Sequence, residues 1–89
     1  MNTKTNDLKT CEIARCEKFI CGNKVQYKLI RCSDEIYRIC VSDDLSKASA
    51  EFKANFFDIV GLFKTMVDTE TLPTNIPDIS EDYNFLQQM

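Results

Sequence analysis

Cysteine is the residue type in this sequence with the widest chemistry, because a thiolate can act as a nucleophile, bind zinc or enter a disulfide. The five cysteines run from Cys11 to Cys40 with the spacing C-x4-C-x4-C-x10-C-x7-C, which contains no CxxC pair of the zinc-knuckle kind. In an extended segment, cysteines five positions apart lie about 16 Å apart on opposite faces, too far to share a metal ion. We therefore expect reduced thiols and no metal site, with structural zinc and a disulfide as the alternatives.

The chain has no histidine, and this excludes several classes of enzyme. Ser-His-Asp and Cys-His nucleophiles need an imidazole to accept a proton near neutral pH. HExxH and Cys2His2 zinc sites need histidine as a ligand. The two glycines, Gly22 and Gly61, are too far apart to form a GxGxxG or GxxxxGK[ST] phosphate loop. We therefore predict a protein that is not an enzyme and binds no cofactor.

Two groups of carboxylates are the remaining candidates for acid-base chemistry. They are Asp43-Asp44 and the set Asp78, Glu81 and Asp82. Both groups lie at predicted helix starts, where the helix dipole favours acidic side chains. General acid-base catalysis would also need an enclosed pocket, which a chain of this size has little room to build. We interpret the first group as a helix cap and the second as an acidic patch that can dock a basic partner.

The hydrophobic pattern predicts an α+β fold that begins with a three-stranded antiparallel meander. Tyr27 and Leu29 alternate with polar residues, as expected for a strand with one buried face. Gly22-Asn23 suits a hairpin turn because both residues tolerate a positive φ. Short connections favour antiparallel pairing. The predicted strands are at about 11–20, 25–31 and 36–41.

The second half of the chain changes to a helical period. From Leu45 to Met66, apolar residues recur at steps of three and four, which predicts one long helix over about 45–68 packed on the sheet. Asn75 and Pro77 are typical of a helix start, and they predict a short C-terminal helix over about 76–87.

The predicted long helix carries a second apolar face. Ala50, Ala54, Phe57 and Gly61 follow helical spacing on the side away from the main stripe. Gly61 is unfavourable inside a helix, so close approach of another backbone is one reason for its presence. One interpretation is that the C-terminal helix covers this face, or that Gly61 is a kink between two shorter helices. The alternative is that a protein partner or second copy covers it. We take it, with the acidic patch, as the candidate partner surface.

Composition and charge indicate one ordinary globular domain. Hydrophobic residues make up 44% and charged residues 28% of the 89 residues, and the net charge is −3. Two acidic residues interrupt the basic residues Lys24, Lys28, Arg31 and Arg38, so we expect a solvent-exposed sheet face and no direct nucleic-acid binding. No apolar run is long enough for a membrane span, and residues 1–10 do not resemble a signal peptide. We expect a cytoplasmic domain over 11–89 after a flexible tail.

Three short segments resemble a family of short bacterial proteins of unknown function. They are Tyr27-Lys28-Leu29-Ile30 with Ile36-Tyr37-Arg38-Ile39, the segment Val41-Ser42-Asp43-Asp44, and the ending from Leu72 to Tyr83. The last is similar to the family's P-x-x-(I/L)-x-D-(I/V)-x-E-D-(F/Y) ending. The resemblance covers roughly residues 25–85, supports the domain layout and implies no activity.

These observations lead to one functional hypothesis and two alternatives. The hypothesis is a non-enzymatic interaction or regulatory module that binds a protein partner or itself. The first alternative is a small acidic inhibitor, of phage or mobile-element type, that blocks a nucleic-acid-processing complex. The second is a redox or zinc sensor that uses the five cysteines.

Overall fold

A computed structural model of the chain describes residues 10–87, with side chains as far as Tyr83. The predicted flexible tail therefore lies outside the described residues, apart from Thr10. Four strands form one antiparallel sheet in the order β1-β2-β3-β4, and two helices follow the sheet in the chain. The elements are β1 (Cys11–Ile20), β2 (Asn23–Ser33), β3 (Ile36–Ser42), β4 (Lys47–Lys53), α1 (Phe56–Asp68), a single 3-10 turn (Pro73–Asn75) and α2 (Ile76–Gln87).

The first hairpin turn is a two-residue turn at Cys21 and Gly22. Both residues have positive φ, 52° and 83°, and Ile20 pairs directly with Asn23 across the turn. Two successive positive φ values match the twist of the flanking strands in tight hairpins. The turn therefore begins one residue earlier than the Gly22-Asn23 turn that the sequence predicts.

The predicted long helix over 45–68 is wrong, and the sheet has four strands where three were predicted. The first part of that segment is β4, which pairs with β3 along its whole length. Its polar and apolar residues alternate, and Phe52 is buried against the core with 1% of its surface exposed. Ala48 and Phe52 are four apart and therefore fit the helical period as well as the strand period, which explains the error.

The segment expected to cap the long helix forms the turn between β3 and β4. The Asp43 carboxylate accepts hydrogen bonds of 2.8 Å from the backbone N–H groups of Leu45 and Ser46. An aspartate oxygen that binds nearby N–H groups can close a turn as readily as it caps a helix. These hydrogen bonds hold the pKa of Asp43 below its usual value. The chain then returns as β4 and does not enter a helix.

The helix α1 begins after Asn55, whose side-chain oxygen accepts a 2.8 Å hydrogen bond from the backbone N–H of Asp58. This is the contact expected of an asparagine at the N-cap. Ile59, Phe63 and Met66 recur at steps of four and three and are buried in the core. One face of α1 therefore covers the sheet.

The second helix covers the β4 side of the same sheet face. The rings of Tyr83 and Phe52 pack edge to face, with their centroids 5.3 Å apart. Ile76, at the start of α2, is 1% exposed. The predicted C-terminal helix over 76–87 agrees with the observed helix. The molecule is thus a small α+β domain of two layers, a sheet and a pair of helices.

Candidate functional site

The four residues of the predicted second helix face do not share a surface. Ala50 lies on β4 and Ala54 follows that strand, where it is 9% exposed. Phe57 and Gly61 lie on α1 and are exposed. The face was defined on a continuous helix over 45–68, and the strand in its first part separates its members. Apart from its chain neighbours and the backbone of its own helix turns, no described atom lies within 4 Å of the position that a Cβ on Gly61 would take, so no other described element approaches Gly61 closely.

The predicted acidic patch lies on one element. Asp78, Glu81 and Asp82 are all exposed in the first half of α2. Asp78 and Asp82 are four residues apart and therefore lie on the same side of the helix. Its role as a docking surface stays a prediction.

The face of the sheet opposite the helices is uncovered and carries an excess of positive charge. We call it the open face. From Val25 to Leu29 in β2 and from Tyr37 to Val41 in β3, the odd-numbered residues are buried under the helices. The even-numbered residues therefore point to the open face, and the pairing registers extend this assignment to β1 and β4. Its charged side chains are six basic residues (Arg15, Lys24, Lys28, Arg38, Lys47 and Lys53) and three acidic residues (Glu12, Glu17 and Glu51).

Each acidic residue of the open face is paired with a basic neighbour. Arg38 lies 2.6 Å from Glu51, Arg15 lies 2.8 Å from Glu12, and Lys24 lies 3.4 Å from Glu17. The hydrogen bond from Arg15 holds the pKa of Glu12 below its usual value, and the bond to Glu51 raises the pKa of Arg38. The charged forms of Glu12 and Arg38 are therefore favoured by their partners.

Three lysines on the open face lie outside these ion pairs. Among the side chains that the structure describes, residues 10–83, Lys28, Lys47 and Lys53 form neither an ion pair nor a hydrogen bond, although the charge of Lys28 helps to lower the pKa of Glu12. Lys28 is half-buried at the centre of the sheet, and the other two mark the ends of β4. The surplus positive charge is thus spread across β2 and β4.

Two adjacent depressions give the open face its shape. Both are shallow, and both include Gln26 and Ser42, which pair across β2 and β3. One has a volume of about 210 Å³ and is lined by Gln26, Lys28, Ile30, Cys40, Ser42 and Lys47. The other has a volume of about 220 Å³ and is lined by Lys24, Gln26, Ser42, Asp43 and Asp44. Ile30 and Cys40 therefore line the same depression as Lys28 and Lys47.

The helical layer has the opposite charge. From residue 54 to residue 83 the chain carries six acidic residues and one basic residue, Lys64. Although the net charge is only −3, the charges are unevenly distributed, with a basic open face and an acidic helical side. Such segregation orients a charged partner during approach.

The five cysteines are distributed over the sheet and its first turn. Cys11 and Cys16 lie on β1, Cys21 in the turn, Cys32 on β2 and Cys40 on β3, and none is in a disulfide. In the described part of the chain, no three cysteine or carboxylate side chains are grouped as metal ligands. Cys40 is the cysteine that lines a depression of the open face.

The sequence reasoning found part of the open face and missed the rest. Lys24, Lys28 and Arg38 lie on it, as expected for a solvent-exposed sheet face, whereas Arg31 pairs with Asp34 near the β2–β3 turn at 2.7 Å. Lys47 and Lys53 were missed because their segment was assigned to the helix. The signal was present in the strict alternation of KASAEFK, which has the period of a strand.

Comparisons with known proteins give no match to a family model, a curated protein or a solved structure. The resemblance of residues 25–85 to short bacterial proteins of unknown function therefore stays a prediction. No helix of the described residues has the length and apolar character needed to cross a bilayer.

Proposed function

We propose that this protein is a non-enzymatic docking module whose open face binds an acidic segment of a partner protein. The observation that carries the proposal is the set of three unpaired lysines, Lys28, Lys47 and Lys53, of which Lys28 and Lys47 line one shallow depression. Lysine ammonium groups that lack an internal partner attract carboxylates from solution. The half-buried Ile30 adds apolar contact area under the bound segment.

An acidic protein segment fits this face better than a nucleic acid does. Sheets that bind single strands stack bases on several aromatic rings. Among the described open-face residues, Phe19 alone is aromatic, at 74% exposure, because Tyr27 and Tyr37 are buried under the helices. We therefore propose no direct nucleic-acid binding.

Two further parts of the proposal depend on the sequence. The lack of histidine supports a protein that is not an enzyme. Five cysteines without a disulfide suit the reducing cytoplasm, so we propose that the protein acts there.

Fluorescence anisotropy with a labelled hexaglutamate peptide tests the proposal. The variant in which Lys28, Lys47 and Lys53 are all changed to glutamine should bind this peptide about tenfold or more weakly, since each lost ion pair is worth up to about 1 kcal/mol. Wild-type affinity should fall as salt is added, because these charges are exposed. Lys64→Gln is the matched control, because Lys64 is an unpaired lysine on the helical side, and it should bind as the wild type does.

Two outcomes would overturn the proposal. One is a triple variant that binds hexaglutamate as tightly as the wild type or the Lys64→Gln control. The other is tighter binding of a mixed-sequence single-stranded DNA than of hexaglutamate at the same salt concentration, which would assign the open face to nucleic acid.

A further inference from the structure

The side of α1 that points away from the sheet has no partner within the described chain. Phe57 is 85% exposed, and Gly61, one turn later, has open space where a Cβ would be. Asp58 and Lys64 lie on the two flanks of Gly61. Both are exposed, and neither forms an ion pair with the side chains that the structure describes, residues 10–83.

These residues are arranged symmetrically about Gly61. Asp58 stands three residues before it and Lys64 three residues after it, so both lie within about 60° of Gly61 around the helix. Phe57 and Thr65 stand four residues before and after it. When two such helices cross antiparallel at Gly61, each Asp58 faces the Lys64 of the other copy and each Phe57 lies over the other copy's Thr65.

We propose that two copies of this chain associate through antiparallel packing of α1 about Gly61. A glycine at the crossing point lets the two backbones approach closely, since no side chain separates them. The two-fold symmetry forms both Asp58–Lys64 pairs at once and covers both Phe57 rings. A second copy is therefore the partner whose charges complement this face.

The dimer is weak and reversible. The 13 residues of α1 span about 20 Å, and a contact of this length buries less than the roughly 1,600 Å² of a standard stable interface. Because α1 covers the opposite side of the sheet, the open face of each copy stays accessible. Dimerisation is thus independent of the proposed acidic-segment binding, and each can fail without the other.

Sedimentation equilibrium of the wild type and a Gly61→Leu variant gives the first test. The wild type should associate in a concentration-dependent way, with dimers detectable by about 1 mM. In the variant, the leucine side chain enters open space in the monomer but blocks the crossing, so association should be lost while the circular dichroism spectrum is unchanged. A wild type that stays monomeric, or a Gly61→Leu variant that still dimerises, would overturn the proposal.

Charge reversal provides a second test that does not depend on Gly61. Asp58→Lys alone and Lys64→Glu alone each place like charges opposite one another and should weaken the dimer about tenfold. An equal mixture of the two variants restores both attractive pairs in the heterodimer, so the mixture should associate more tightly than either variant. A mixture no tighter than the separate variants would refute the antiparallel register and with it the proposal.

Discussion

The phenolic oxygen of Tyr27 donates a buried hydrogen bond of 2.8 Å to the backbone carbonyl oxygen of Thr71. Tyr27 lies in the middle of β2, and Thr71 lies in the segment that connects the two helices. Nearby, the Lys18 ammonium group donates a 2.9 Å hydrogen bond to the carbonyl oxygen of Val67 near the end of α1. Side chains of the sheet thus hold the helical layer in place through its backbone.

Replacing Tyr27 with phenylalanine should lower the free energy of unfolding by about 1–3 kcal/mol, because the Thr71 carbonyl is left buried without its donor. Chemical denaturation monitored by circular dichroism measures the loss. Tyr37→Phe is the matched control, since Tyr37 is buried in the same core and its hydroxyl forms no hydrogen bond within the described residues. Equal losses for the two variants would count against the role of the Tyr27–Thr71 contact.

The packing of β4 leads us to expect very different losses of stability when Phe52 and Phe57 are replaced by alanine. Phe52→Ala should cost about 3–5 kcal/mol, because Phe52 fills the core against Tyr83, whereas Phe57→Ala should change stability by less than about 0.5 kcal/mol. Thermal unfolding at low protein concentration compares them. If Phe52→Ala does not fold, Phe52→Leu should show a smaller loss in the same direction. Similar effects at both positions would contradict the observed packing of β4.

The Asn55 cap gives a prediction about where α1 begins. Asn55→Ala should lower the free energy of unfolding by about 0.5–2 kcal/mol, since the N–H of Asp58 loses its acceptor. Asn55→Asp keeps an acceptor oxygen at this position and should retain wild-type stability. Urea denaturation of the three proteins decides the matter. An alanine variant as stable as the wild type would show that the helix does not depend on this cap.

Ionisation of Asp43 in the turn between β3 and β4 makes the stability of the protein depend on pH in acidic solution. Backbone hydrogen bonds lower the pKa of Asp43 in the folded protein. The ionised side chain therefore contributes to the free energy of unfolding above the unfolded-state pKa of about 4, and this contribution is lost as the pH falls through the folded-state pKa. Asp43→Asn should therefore show a smaller fall in stability between about pH 5 and about pH 2. The pKa of Glu12 is also lowered, so Glu12 accounts for the fall in stability with pH that remains in the Asp43→Asn variant.

Asp44→Asn is the control for this pH prediction. It removes the same charge next to the turn, but the Asp44 side chain forms no hydrogen bond within the described residues. Its acid unfolding curve should keep the wild-type shape. If Asp43→Asn also keeps that shape, the turn does not depend on the ionised carboxylate.

Local periodicity was sufficient to predict β2, β3 and α2, whereas β1 was predicted without a clean alternation of polar and apolar residues. Tyr27, Leu29 and Ile39 alternate with polar neighbours, and no competing helical pattern runs through them. The segment 45–53 was ambiguous because an alanine-rich alternating strand also places apolar residues four apart. The choice depends on pairing with β3, a long-range interaction that local pattern does not contain.

The open face could be predicted only where the strands were predicted. Lys24 and Lys28 alternate with buried residues of β2, so the pattern was sufficient to assign them to an exposed sheet face. The surplus charge depends on Lys47 and Lys53, which join that face through the register of β4. Which lysines lack a partner also depends on ion pairs between strands, such as Arg38–Glu51.

The most direct test of the open face as a docking surface is nuclear magnetic resonance of the side chains of Gln26 and Ile30 during titration with hexaglutamate. Both side chains line the depression between the unpaired lysines, whereas Ile39 and Ile59 are fully buried on the helical side. We predict progressive shifts of the Gln26 side-chain amide and the Ile30 methyl signals, with Ile39 and Ile59 unchanged. Shifts confined to α1 and α2, or no shifts at saturating peptide, would contradict the proposed function.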